Sequence, residues 1–171
     1  MSPNTFDGAF IHTCGELPAI GQKAPEFSLI DEKLQSVSLA DYAGKKIILN
    51  VFPSIDTKVC SSSVMHFNQK IADYCDVVIL CVSIDTPFAL KRHCSSFDFS
   101  HVRLLSDFRQ RAFGKAYGLT IIDGPVAGVL ARAALLLDEN HIISYREVSA
   151  DITLPIDYQR LQAALETLNR A

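Results

Sequence analysis

The stretch "NVFPSIDTKVC", Asn50 to Cys60, carries an apolar run into a polar turn and ends on a cysteine where a helical pattern begins. Thr57 stands three residues ahead of Cys60, where a C-x-x-C motif would hold its first cysteine. A helix that starts here presents unpaired backbone N–H groups and a partial positive charge. With Thr57 as N-cap, Cys60 is the N3 residue, a first-turn position at which a thiolate is stabilised. Lacking a partner in the motif, Cys60 cannot form the vicinal disulfide of a general dithiol exchanger. The Thr57 hydroxyl can instead hydrogen-bond the thiolate or an incoming oxygen. The chemistry indicated is oxidation of sulfur.

The chain holds four further cysteines, Cys14, Cys75, Cys81 and Cys94. Cys81 lies inside "VVILCVSI" and reads as core packing. Cys75, near the end of a helix, and Cys14, after a hairpin, read as incidental. Cys94 follows Arg92 and His93, two neighbours placed to lower its pKa. His12 near Cys14 and His93 beside Cys94 match no common zinc spacing, so no metal site is expected. The glycines of "GKAYG" and "DGPVAG" do not follow a strand with phosphate-loop spacing, so nucleotide binding has no support.

Composition narrows the class. A chain of 171 residues, 49% hydrophobic and 20% charged, has the balance of an ordinary globular protein and buries roughly 70% of its unfolded surface without staples. A net charge of −3 with scattered lysines and arginines argues against nucleic acid or an anionic membrane as partner. The opening "MSPNTFDGAFIHTCGELP" lacks the basic flank and apolar core of a signal peptide, and no apolar run reaches the ~18 residues of a membrane span. The expected location is the cytoplasm, where five cysteines without a regular framework are packing, metal ligands or chemistry rather than structural disulfides.

The elements that must position Cys60 follow from periodicity. Asp7-Gly8, between short alternating runs, suits a type I′ hairpin turn. "KIILNVF" and "VVILCVSI" are continuous apolar runs that read as central strands covered on both faces. Between them Val64, Phe67, Ile71 and Tyr74 recur at helical spacing. The three elements make a βαβ unit. A helix is predicted over "PFALKRHCSSF" with Pro87 in its first turn, then a strand at "VRLLS", a helix around "RQRAFGKAYG", and a hairpin of "RAALLL" and "IISYREV" about "DENH". "IDYQRLQAALETLN" closes the chain as an amphipathic helix with Tyr158, Leu161, Leu165 and Leu168 on one side. This order is that of an elaborated thioredoxin-like α/β fold, a central mixed sheet flanked by helices with an N-terminal β-hairpin, in one domain over residues 1–171.

Pro53, Thr57 and Cys60 form P-x-x-x-T-x-x-C, which resembles the active-site signature of the peroxiredoxins. The longer "NVFPSIDTKVCSSSVMHFNQ", "VVILCVSIDTPFALKRHC" and "AYGLTIIDGPVAGVLARAALLLDEN" resemble their bacterial thiol peroxidase branch, the atypical two-cysteine type, over nearly the whole chain. The resemblance implies that Cys60 is the peroxidatic cysteine and that a hydroperoxide, hydrogen peroxide or an alkyl or lipid species, oxidises it to a sulfenic acid. It implies that Cys94, in the same chain, resolves that species as a Cys60–Cys94 disulfide, which a thioredoxin-like reductant recycles. Arg132, in "GVLARAALLL", then holds the thiolate and polarises the peroxide, Pro53 shields the pocket, and Thr57 orients the sulfur and a peroxide oxygen. No metal, haem or flavin is implied, and a homodimer is. An alternative shares the oxidation step: a redox sensor or binding module switched by the same disulfide.

Overall fold

A computed structural model describes residues 4–70 and 77–170. Strands β1 (Asn4–Phe6) and β2 (Ala9–Ile11) pair antiparallel as a separate two-stranded sheet. Asp7 and Gly8 take φ of 51° and 80°, the positive values that the turn between them needs. The main sheet has seven strands in the order β4-β3-β7-β6-β5-β8-β9. They are β3 (Ser28–Asp31), β4 (Ser36–Ser38), β5 (Lys46–Val51), β6 (Val77–Ser83), β7 (Val102–Ser106), β8 (Ala133–Leu137) and β9 (Ile143–Val148). β5 runs parallel to β6 and antiparallel to β8, so the sheet is mixed, as the element order predicts.

The central strands are apolar on both sides because both sides are covered. Ile47, Leu49 and Val51 of β5 join one buried cluster, with Phe113 and Tyr117 at helix α3 (Ala112–Ala116). Ile48 joins the other, beneath helices α1 (Lys58–Lys70), α2 (Pro87–Ser96) and α4 (Tyr158–Arg170). Val64 and Phe67 of α1, Leu90 of α2, and Leu161 and Leu165 of α4 pack into that second cluster. Cys60 and Cys81 are buried in it, and Cys94 packs against it half-buried, so three of the thiols share one face of the sheet. The expected α1 positions Ile71 and Tyr74, and Cys75, lie outside the described residues. Among the described residues no helix is long and apolar enough to cross a membrane.

The helix expected around "RQRAFGKAYG" is shorter than its pattern. Arg111 sits at φ 52°, and the Asp107 carboxylate accepts hydrogen bonds from the N–H groups of Phe113 (3.2 Å) and Gly114 (2.9 Å). Those contacts fix the start of α3 at Ala112 and leave Arg109, Gln110 and Arg111 outside it.

Candidate active site

Cys60 reaches its position through two helix-start contacts. The Thr57 hydroxyl accepts a hydrogen bond from the Cys60 N–H (3.3 Å), and the first helical backbone bond runs from Ser61 N–H to the Thr57 carbonyl (3.0 Å). Thr57 is therefore the N-cap of α1 and Cys60 its N3 residue. The hydroxyl hydrogen goes to the Ser54 carbonyl (3.2 Å). Thr57 thus shapes the turn around Cys60 and makes no hydrogen bond to its sulfur among the described contacts.

Below the helix, Ser63 Oγ donates to the Cys60 carbonyl (2.7 Å) and accepts from Asn50 Nδ2 (3.2 Å) on β5. Asn50 Nδ2 also lies 3.5 Å from Cys81 Sγ. This buried chain pins the first turn of α1 to the central strand. Burial pushes the Cys81 thiol up to about 12, so Cys81 stays protonated at neutral pH.

Arg132 arrives from the other side. It immediately precedes β8, whose Ala133 pairs with Val51 at the end of β5, so the register puts the arginine beside the turn that leads to Cys60. The sequence pattern placed Arg132 inside the strand; it stands one residue outside. Its side chain is 2% exposed and Cys60 is 0% exposed. Arg132 Nη2 donates to Cys60 Sγ at 3.2 Å. Nε and Nη2 both donate to the Ile152 carbonyl, at 3.0 and 2.9 Å, which fixes the plane of the guanidinium. Nη1 is buried and has no hydrogen-bond partner among the described residues. A fixed cation thus touches the sulfur in a desolvated site, with one donor to spare.

The loop that offers the Ile152 carbonyl is itself tied down. Asp151 accepts from Thr5 Oγ1 (2.6 Å), the Gly8 N–H (3.2 Å), Thr153 Oγ1 (2.6 Å) and the Thr153 N–H (2.8 Å). These donors, Thr153 first and then Thr5, hold its carboxyl far below the usual carboxylate range. The N-terminal hairpin is thereby connected to the arginine through Asp151 and the adjoining Ile152.

Pro53 is buried between the end of β5 and the Ser54 turn. Cys94 lies on α2 with a free thiol, and no disulfide joins it to Cys60. Thr57, Cys60 and Arg132 come together; Cys94 stays on its own helix. Its pKa moves opposite to the expectation from Arg92 and His93: burial raises it, with a further push from the charge of Glu32. Both neighbours are engaged elsewhere, for Arg92 Nη2 and His93 Nε2 sit 2.6 and 2.9 Å from Asp56 Oδ1. His93 foremost, and Arg92 after it, hold the Asp56 carboxyl below the usual range.

Asp56 and Asp85 are the residues that sequence reasoning missed. The Asp85 carboxylate accepts from Ser54 Oγ, the Ile55 N–H and Ser83 Oγ, each at 2.7 Å, and so braces the Cys60 turn from the end of β6. A signal was present: Ser-Ile-Asp-Thr occurs at 54–57 and again at 83–86, ahead of α1 and of α2.

Comparison with known proteins gives a consistent neighbourhood. The Redoxin family model matches residues 19–165. The chain is 42% identical over 165 residues to a thiol peroxidase of Mycobacterium bovis, covering 96% of this chain and 99% of that one. It is 39% identical over 165 residues to a thiol peroxidase of Corynebacterium glutamicum, with the same coverage. Among solved structures, a peroxiredoxin-like protein from Aquifex aeolicus superposes with a TM-score of 0.92 at 30% identity, covering 98% of each chain.

Proposed function

The chain belongs to the Redoxin family and is a peroxiredoxin-type oxidoreductase, and from that premise we propose that it is a thiol peroxidase working through Cys60, Arg132 and Cys94. The Cys60 thiolate attacks one oxygen of a hydroperoxide ROOH. The O–O bond breaks, the sulfur is oxidised to a sulfenic acid, and RO⁻ leaves and takes up a proton as ROH or water. The Cys94 thiol then condenses with the sulfenic acid, forming an S–S bond and releasing water. A thioredoxin-type dithiol returns both sulfurs to thiols and is itself oxidised to a disulfide.

The observation that carries this reading is the guanidinium of Arg132. One of its nitrogens touches the sulfur at 3.2 Å and another, Nη1, is buried and unpaired among the described residues. An unpaired buried donor costs free energy unless a ligand satisfies it, and a peroxide oxygen arriving beside Cys60 is such a ligand. Negative charge that grows on the leaving oxygen is then met by a donor already in place. Pro53 walls the pocket and Thr57 fixes the turn. Cys94, held neutral by burial in the closed helix, becomes reactive once α2 opens. The substrate range includes hydrogen peroxide and organic hydroperoxides, and the working protein is a cytoplasmic homodimer of single-domain chains.

The test is peroxide consumption by Cys60→Ser together with a peptide map of wild-type protein after one equivalent of peroxide. Loss of consumption and an intrachain Cys60–Cys94 link are expected. Undiminished consumption by Cys60→Ser would overturn the reading.

A further inference from the structure

The two Ser-Ile-Asp-Thr turns are built alike and reach into each other. Each threonine caps its helix: Thr57 receives the Cys60 N–H (3.3 Å) and Thr86 the Ala89 N–H (3.4 Å). Each aspartate crosses to the other segment. Asp85 holds the Cys60 turn through Ser54 Oγ and the Ile55 N–H, while Asp56, inside that turn, holds Arg92 and His93 of α2. The two cross-links differ in what they restrain. Asp85 lies ahead of α2, so its contacts survive if the helix unwinds beyond its first turn. Asp56 grips the two residues immediately before Cys94, so its contacts break before Cys94 can travel.

We propose that Asp56 is a positioning residue for the second half-reaction, a latch that keeps the Cys94 helix closed while Cys60 meets peroxide and that sets how long the sulfenic acid waits for its thiol. This rests on the Cys60–Cys94 mechanism proposed above. The latch is weak in the right way: Arg92 and Asp56 side chains are 66% and 53% exposed, so water competes for both. His93 contributes a second feature. Among the described residues its buried Nδ1 has no hydrogen-bond partner, a deficit that opening the helix to water removes. The waiting time decides between two fates with balanced chemistry. In one, the sulfenic acid and the Cys94 thiol give a disulfide and water; in the other, a second hydroperoxide oxidises the sulfenic acid to a sulfinic acid and leaves as its alcohol or water. Asp56 therefore tunes the sensitivity of Cys60 to overoxidation.

The experiment is rapid-quench alkylation and mass spectrometry after mixing with peroxide, on wild type, Asp56→Asn, the pair Arg92→Met/His93→Gln, and the triple variant. Both altered sides of the latch should form the Cys60–Cys94 disulfide about three- to tenfold faster than wild type, the scale of losing one exposed ion pair and one hydrogen bond. The triple variant should be no faster than Asp56→Asn, because one interaction is removed either way. In Arg92→Met/His93→Gln the first oxidation should keep its wild-type rate and less sulfinic acid should accumulate. Raising salt should speed disulfide formation in wild type and not in the variants, since screening acts on charges that only the wild type pairs. A disulfide that forms at one rate in all four proteins, or effects that add in the triple variant, overturns the latch alone. Wild type that forms sulfenic acid without any Cys60–Cys94 link overturns the parent mechanism and the latch with it.

Discussion

Cys60 and Cys94 sit on helices introduced by the same tetrapeptide, yet one lies in the first turn of α1 and the other in the last turn of α2. Around Cys60 the restraints are buried: Arg132 on the sulfur, Ser63 on the carbonyl, Asn50 behind Ser63. Around Cys94 they run from the exposed Arg92 and the mostly buried His93 to the half-exposed carboxylate of Asp56. Breaking the first set leaves polar groups unpaired in the core, and breaking the second hands them to water. The contrast separates two tasks. A nucleophile needs fixed geometry, and a thiol that must travel needs a frame that opens at small cost.

The comparison can be broken most severely at Cys94. In Cys94→Ser, one equivalent of peroxide should be reduced as in wild type, while steady turnover with a thioredoxin-type reductant is lost and Cys60 gains two oxygens under excess peroxide, read by intact-mass spectrometry. Full turnover in that variant removes Cys94 from the mechanism. Next in size is Arg132→Met, which should slow Cys60 oxidation by ~10²–10³-fold, the scale of one pre-organised donor, with no change in the subsequent disulfide step. Stopped-flow oxidation at the wild-type rate would detach the arginine from the chemistry.

A pH series sharpens the contrast further. Burial raises the folded-state pKa of Cys94, so the closed helix keeps its proton where an opened one has begun to lose it. The closed form is fully favoured below the ordinary cysteine value and loses that advantage as pH rises toward the folded value. Disulfide formation after oxidation should therefore accelerate with pH above roughly 8.5, by at most about tenfold per unit. A flat profile across that window contradicts it. The smallest effect is expected for Thr57→Val, which removes the cap and the Ser54 contact and should cost ~1 kcal/mol in thermal or denaturant unfolding. An unchanged midpoint would show that the turn is held by Asp85 without Thr57.

Much of the frame was legible because its physics is local. "KIILNVF" and "VVILCVSI" announced strands covered on both faces, and Asp7-Gly8 announced its turn through the need for positive φ. The α3 boundary was not legible, since a side-chain cap from Asp107 and a left-handed Arg111 override an apolar spacing. Within the site, Thr57 and Cys60 are three residues apart, and spacing alone related them. Arg132 is 72 residues from Cys60, and only family resemblance joined them before the Val51–Ala133 register did. The carbonyl of Ile152 left no trace at all, because a backbone oxygen carries no residue-type signature. Asp56 and Asp85 were visible as letters, but their crossed reach depends on how two turns face each other.

The connection from the hairpin to Arg132 also makes a segment remote in sequence answerable for the arginine's aim. β1 and β2 stand apart from the main sheet, and Thr5 and Gly8 grip Asp151, whose neighbour Ile152 aims the guanidinium. Ile152 is held from the same side, for its N–H donates to the Thr5 carbonyl at 2.9 Å. The hairpin is thus a piece of the arginine's scaffolding, and shortening the chain ahead of Ala9 would strip Asp151 and Ile152 of the partners that hold them.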